Sequence, residues 1–235
     1  MGKETVVRIG VFIPTECQLL DQACIDIFGS MSRQYMDLIK TLHPRLSPIS
    51  RPRLTFTISA GEPILLTSNQ KILATNHFSD PEVAPGKLNV VVVPGPDPNS
   101  KFEKEPLDWL KKQSETKGTD ILSVCTGIFI CGEAGLLKGR TVCGPRGMQD
   151  LISKKYGKDI VQKGTELRWV QDGNFWSSGG VTNGNDLVAA YARRSKFFPE
   201  PLVEIALDMV DVGDRPQQYG RGQSVSMVGN ESKTA

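Results

Sequence analysis

"DILSVCTGIFICGEAGLL", residues 120–137, changes its period half-way along. Ile121, Leu122 and Val124 read as the end of a buried strand. From Thr126 onward Ile128, Phe129, Ala134 and Leu137 recur at helical spacing, with Gly127, Gly132 and Gly135 between them. Cys125 therefore falls in a sharp strand-to-helix turn, a geometry that lifts a nucleophile above a sheet. A helix N-terminus also lowers a thiol pKa and favours the attacking thiolate. The competing reading is a buried structural thiol, because free cysteine is among the most buried residue types.

The neighbouring segments supply the rest of an α/β pattern. Val6 to Ile13 is a short apolar strand ended by Pro14, and Leu19, Leu20, Ala23, Ile27, Phe28 and Met31 line one face of a following helix. Arg53 to Ser59 alternates as a second strand, after a proline-rich connection at 43–53. Segments 64–66 and 71–74 form a small hairpin around Ser68-Asn69. KLNVVVVPGPDP (87–98) is a continuous β-branched run, the signature of a strand buried on both faces of a parallel sheet. Helices follow at 102–113, 148–156, 182–194 and 199–209, with Asn and Asp residues as candidate caps of the third, and a strand at 140–143. LRWVQDGNFWSSGG (167–180) carries an Asp-Gly hairpin signal. The expected architecture is a parallel sheet sandwiched by helices, with ligands at the carboxyl ends of its strands. There the loop with Cys17 and Asp21, the Pro94-Gly95 loop and Cys125 should converge.

Composition limits the function classes. At 235 residues the chain suits one α/β domain, 1–214, with a polar, loosely held tail at 215–235. The 39% hydrophobic and 23% charged fractions are those of an ordinary globular protein. A net charge of +2 spread along the chain leaves no nucleic-acid footprint. No stretch approaches a membrane span, and the N-terminus has no long apolar signal region. Five cysteines without a CxxC pair suggest neither a disulfide framework nor a metal site, so a reducing cytoplasmic location fits. Gly95-Pro96-Asp97-Pro98 has too few N–H donors to cradle phosphates, and no cofactor is called for.

RIGVFIPTECQLLD (8–21), VVVVPG (90–95), LSVCTG (122–127), AGLLKGRTV (134–142) and VQDGNFWSSGGVTNGND (170–186) occur in an order and spacing that resembles the DJ-1/PfpI superfamily, a branch of the class I glutamine amidotransferase-like proteins. Within it they are similar to the isocyanide (isonitrile) hydratase pattern. The resemblance implies a flavodoxin-like fold, a homodimer, a nucleophile at Cys125 and a carboxyl partner at Asp21. It implies backbone donors at Thr126 and Gly95, with Cys17, Gly144, Arg146 and Gly180 near the pocket. By itself Asp21 also reads as an exposed residue in the first turn of a helix. Arg146 reads either as a carboxylate-binding group or as a solvated residue.

Two departures shape the expected chemistry. Many relatives place a histidine where this chain reads Cys143-Gly144-Pro145-Arg146, and its two histidines, His43 and His77, read as surface residues. A Cys–His dyad is then not available. Pro96, where relatives often carry glycine, brings no N–H. One thiol and one carboxyl suffice to hydrate an isocyanide to an N-formamide, so the resemblance points to a hydratase-type lyase acting on a small molecule. The alternatives are lyase or cyclase chemistry on another small electrophile, such as a biosynthetic intermediate or reactive aldehyde, and a non-enzymatic redox-sensing module. Cys24, Cys131 and Cys143 are assigned to core packing, and Trp169 and Trp176 to a core or dimer surface.

Overall fold

The computed structural model describes residues 6–40, 52–59 and 64–220. Its centre is β5 (Val90–Val93), whose four valines are all fully buried. Val90 and Val92 enter one apolar layer and Val91 and Val93 the other, the alternation that a pleated strand covered on both faces requires. Burial of each such side chain is worth roughly 1.5–3 kcal/mol. β5 therefore anchors both halves of the core.

Around it lies a six-stranded sheet in the order β2-β1-β5-β6-β10-β9. Here β1 is Val6–Phe12, β2 Arg53–Ser59, β6 Asp120–Ser123, β9 Trp169–Asp172 and β10 Phe175–Ser178. Five strands run parallel, and β9 pairs with β10 in the antiparallel sense. Taken alone, the parallel strands follow the flavodoxin-like order, whose switch point lies between β1 and β5. The Asp172-Gly173 turn joins the edge hairpin, with Gly173 at φ 62°. Two small pairs complete the strands: β3 (Ile64–Leu65) with β4 (Lys71–Ile72), and β7 (Thr141–Val142) with β8 (Val161–Gln162).

Helices cover both faces. On one side lie α2 (Ile25–Ser30), α3 (Arg33–Lys40), α7 (Asn183–Arg194) and α8 (Glu200–Met209), which supply Phe28, Met36, Tyr191 and Leu202 to the core. On the other lie α4 (Lys104–Glu115), α5 (Gly127–Glu133) and α6 (Gln149–Tyr156), with Leu110, Phe129 and Ile152. Trp169 and Trp176 stack inside the first layer, with ring centroids 5.9 Å apart. Cys24, Cys131 and Cys143 are each fully buried. Among the described residues no helix is long and apolar enough to cross a membrane.

Three local expectations are corrected. The helix expected across Leu19 to Met31 is two helices, α1 (Leu19–Ala23) and α2, separated at Cys24. The break leaves Leu20 56% exposed and turns Asp21 and Gln22 inward. Asn183 and Asp186 do not cap α7; Thr182 holds the cap position, and both side chains are bonded to other segments. Of the C-terminal stretch, residues 215–220 run beside 166–169, with Arg168 N–H donating to Gln217 O at 2.8 Å and Tyr219 N–H to Glu166 O at 3.0 Å. His43 lies outside the described residues, whereas His77 is partly buried beside Phe78 with its Nδ1 2.6 Å from Ser79 Oγ.

Gly127 lets α5 press directly on β5, because a Cβ there would collide with the carbonyl oxygen of Val93 and sit 3.0 Å from its carbon. That obstacle is backbone, which no rotamer change relieves. Gly127→Ala should therefore lower the melting temperature by about 5 °C or more. Gly29→Ala, in α2 with nothing within 4 Å of the new methyl, should leave it unchanged or raise it slightly. Thermal unfolding of both variants checks the contrast.

Candidate active site

Cys125 follows β6 with φ 56°, a left-handed conformation that costs a non-glycine residue about 1–3 kcal/mol. Such strain persists only where the surroundings impose it. Here Val124 N–H donates to Val93 O at 3.0 Å, and Gly127 N–H to Val124 O at 2.8 Å. Thr126 Oγ1 donates to Pro96 O at 2.7 Å, tying the elbow to the loop after β5. Pro96, which lacks an N–H, thus serves the site as an acceptor.

The same loop receives Asp21. Gln18 N–H, at the start of α1, donates to Gly95 O at 2.9 Å, and Gly95 N–H donates to Asp21 Oδ2 at 3.2 Å. Gly95 has no room for a side chain, since a Cβ would meet Thr126 Oγ1 and lie 2.5 Å from Asp21 Oδ2. The amide expected to stabilise negative charge on a substrate is therefore already committed to the carboxylate. Asp21 is 0% exposed, so it is not the surface residue that its helix position alone allowed. Its Oδ1 is buried with no hydrogen-bond partner among the described residues, and the Cys125 thiol stands beside the carboxyl.

Electrostatics follow from this enclosure. Burial pushes the Asp21 carboxyl up to about 7, against the smaller opposing effects of the Cys125 and Gly95 hydrogen bonds. Cys125 is 7% exposed, and burial followed by the Asp21 charge pushes its thiol up to about 12. The lowered thiol pKa expected of a helix N-terminus is overridden by desolvation. The backbone amides of Val181 and Thr126 act in the opposite direction on Cys125. At neutral pH the pair holds one to two protons, the first of which leaves from the carboxyl.

Other expected site residues are placed differently. Cys17 is fully buried in a satellite cluster with Val11, Ile13, Ile64 and Leu66, its thiol 3.6 Å from Gln22 Oε1. Burial, then the charges of Asp21 and Glu16, push it up to about 12. Gly144 is buried and its carbonyl accepts from Gln149 Nε2 at 3.1 Å. The Arg146 guanidinium stacks over the Tyr219 ring at 4.1 Å. A Cβ on Gly180 would meet nothing within 4 Å, so this residue borders open space.

Sequence reasoning did not find Val181. Its contribution is a backbone amide at φ 30°, which leaves no residue-type signal beyond the preceding Gly179-Gly180. The N-terminus of α7 holds this loop against the elbow, with Gly184 so close that a Cβ would lie 2.7 Å from Val124 Cγ1.

The buried carboxyl has a stability signature. In the unfolded chain Asp21 titrates near 3.8 and in the folded protein near 7. The stability associated with its neutral form is fully present below the lower value and is lost as pH rises through the upper one. Asp21→Asn, which keeps an acceptor for Gly95 N–H, should melt at a higher temperature than wild type at pH 8. The gap should close as pH is lowered toward 4, and melting curves across that range check the sign.

The family model for the DJ-1/PfpI family matches residues 50–194. A curated relative, isonitrile hydratase of Pseudomonas putida, is 28% identical over 133 residues, covering 56% of this chain and 54% of that protein. The chain thus matches about half the length of that relative. Among solved structures, a ThiJ/PfpI family protein from Pseudomonas syringae superimposes with TM-score 0.68 at 21% identity, covering 94% of this chain and 80% of that one. Drosophila melanogaster DJ-1beta gives 0.64 at 17% identity over 88% of this chain and 99% of its own. An AraC family transcriptional regulator from Pseudomonas putida gives 0.65 at 14% identity over 87% and 99%. On the matched segment, the sheet order and the elbow at Cys125, the chain belongs to the DJ-1/PfpI family.

Proposed function

We propose that this protein is a cysteine-dependent lyase that hydrates an isocyanide, R–NC, to the N-formamide R–NH–CHO. The observation that carries this reading is the buried Asp21–Cys125 pair, in which the carboxyl stands beside the thiol and keeps one oxygen unpartnered. Similarity to the Pseudomonas putida isonitrile hydratase supports it. An isocyanide carbon is both the site of thiol attack and the site that takes a proton. A single group that removes the thiol proton and returns it to that carbon therefore completes the addition.

The steps balance with these two residues. Asp21 carboxylate accepts the Cys125 proton as sulfur bonds to the terminal carbon, and the same proton passes to that carbon. The product is a thioimidate, R–N=CH–S–Cys125, with Asp21 again ionised. Asp21 then takes a proton from water as its oxygen adds to the carbon, and passes that proton to the nitrogen, which leaves Asp21 ionised again. Collapse breaks the C–S bond, the hydroxyl proton returns to sulfur, and the formamide leaves. Water is consumed and no oxidant or reductant is needed. Histidine has no step to perform. The N–H groups of Val181 and Thr126 favour the negative sulfur that leaves in the last step.

A redox-sensing role fits these properties less well, because sensor cysteines are low-pKa, accessible thiolates and Cys125 is neither. Lyase or cyclase chemistry on another small electrophile is the reading left standing if folded, reduced protein forms no formamide.

Wild type incubated with a simple alkyl or aryl isocyanide should produce formamide over many turnovers, and Cys125→Ala should produce none. Asp21→Asn should lose about 100-fold or more in kcat, the usual worth of a positioned acid–base group. The rate should rise with pH through about 7 and then level off, because the doubly protonated pair has no base for the thiol. Full turnover by Asp21→Asn, or a pH-independent rate, would contradict the assigned role.

A further inference from the structure

The loop from Gly179 to Asn183 carries the Val181 amide, and Val181 has a β-branched side chain at φ 30°, a conformation such residues rarely adopt. Something must hold it there. Two contacts from one segment flank it. On the far side, Arg215 Nη2 donates to Thr182 O at 2.8 Å, while the same guanidinium grips Asp186 through Nε to Oδ1 at 3.1 Å and Nη2 to Oδ2 at 2.6 Å. On the other, the Tyr219 hydroxyl accepts from Asn183 Nδ2 at 2.6 Å, and it lies so near Gly179 that a Cβ there would be 2.7 Å away.

The segment is itself fastened to the sheet. Leu167 and Gln218 form an antiparallel bridge, Gln217 Nε2 donates to Trp169 O at 2.8 Å, and Arg168 Nε donates to Pro216 O at 3.1 Å. Arg146 and Arg168 lie 4.1 and 4.6 Å from the Tyr219 ring centroid, fixing the ring that presents the hydroxyl. We propose that residues 215–219 are a strap whose Arg215 and Tyr219 are positioning residues, holding the 179–183 loop so that its Val181 amide faces the Cys125 sulfur. This rests on Cys125 being the reactive thiol, and it assigns to the C-terminal segment a part in tuning that thiol.

The test uses the full chain and iodoacetamide, with labelling of each cysteine followed by peptide mass spectrometry between pH 7 and 9. Below its pKa a thiol reacts in proportion to its thiolate fraction, so losing one N–H donor should slow Cys125 about tenfold at every pH, equivalent to one unit in pKa. Tyr219→Phe keeps the ring and removes only the hydroxyl; Arg215→Ala removes the other fastening. Both should slow Cys125 selectively, and Arg215→Lys, which keeps a donor for Thr182 O, should restore part of the rate. A purely structural role would instead raise labelling of all five cysteines together as the fold loosens. Unchanged or faster labelling of Cys125 in folded Tyr219→Phe overturns the proposal, and that variant decides the matter if Arg215→Ala does not fold. Alkylation involves no isocyanide, so a failure of the hydratase reading leaves this result legible.

Discussion

The hydrogen bond from the Gly95 amide to the Asp21 carboxylate, reinforced by that from Gln18 N–H to Gly95 O, joins the two halves of the site across the switch point of the sheet. Asp21 comes from the helix after β1, and Gly95 from the turn after β5, two strands that are neighbours in the sheet although 74 residues separate the bonded pair. Because strand β6 lies on the other flank of β5, the elbow it feeds is delivered to the same point. A crevice opens at the carboxyl ends of parallel strands where the strand order reverses. Everything chemical in the protein depends on this convergence, and the convergence depends on β5 being buried on both faces.

The site is maintained against local cost. A carboxyl with no exposed surface, an unpartnered oxygen and a cysteine in the left-handed region each oppose folding. They are held by rigid surroundings: four buried valines, a glycine without space for a side chain, and a threonine hydroxyl tied to the neighbouring loop. Burial also sets the protonation of the pair. In water Asp21 would be fully ionised at neutral pH and too weak a base for a thiol, whereas in this enclosure the carboxyl is pushed up to about 7 beside a thiol pushed up to about 12.

Much of this was legible in the sequence, for identifiable reasons. The VVVV run announces its burial on both faces, the alternation at 53–59 announces a strand, and the change of period at Val124 to Gly127 places the elbow. The convergence of Asp21, Gly95 and Cys125 follows from topology once the strands are parallel. What was illegible works through backbone or through distant chain. Val181 acts by its amide, so no side-chain type marks it, and Arg215 and Tyr219 sit in a polar stretch whose composition reads as loosely held. The sign of the Cys125 shift was misjudged because a helix terminus is visible in a sequence and the depth of burial around it is not.

The most direct measurement is the protonation of Asp21 itself, followed by infrared difference spectroscopy of wild type against Asp21→Asn across pH 4 to 9. The carbonyl band of a neutral, buried carboxylic acid should be present at pH 5, disappear through about 7, and be missing from the variant. A carboxyl that is already ionised at pH 5, titrating near its ordinary value of 3.8, would contradict a desolvated Asp21 carboxyl and with it the proton shuttle on which the proposed hydration relies.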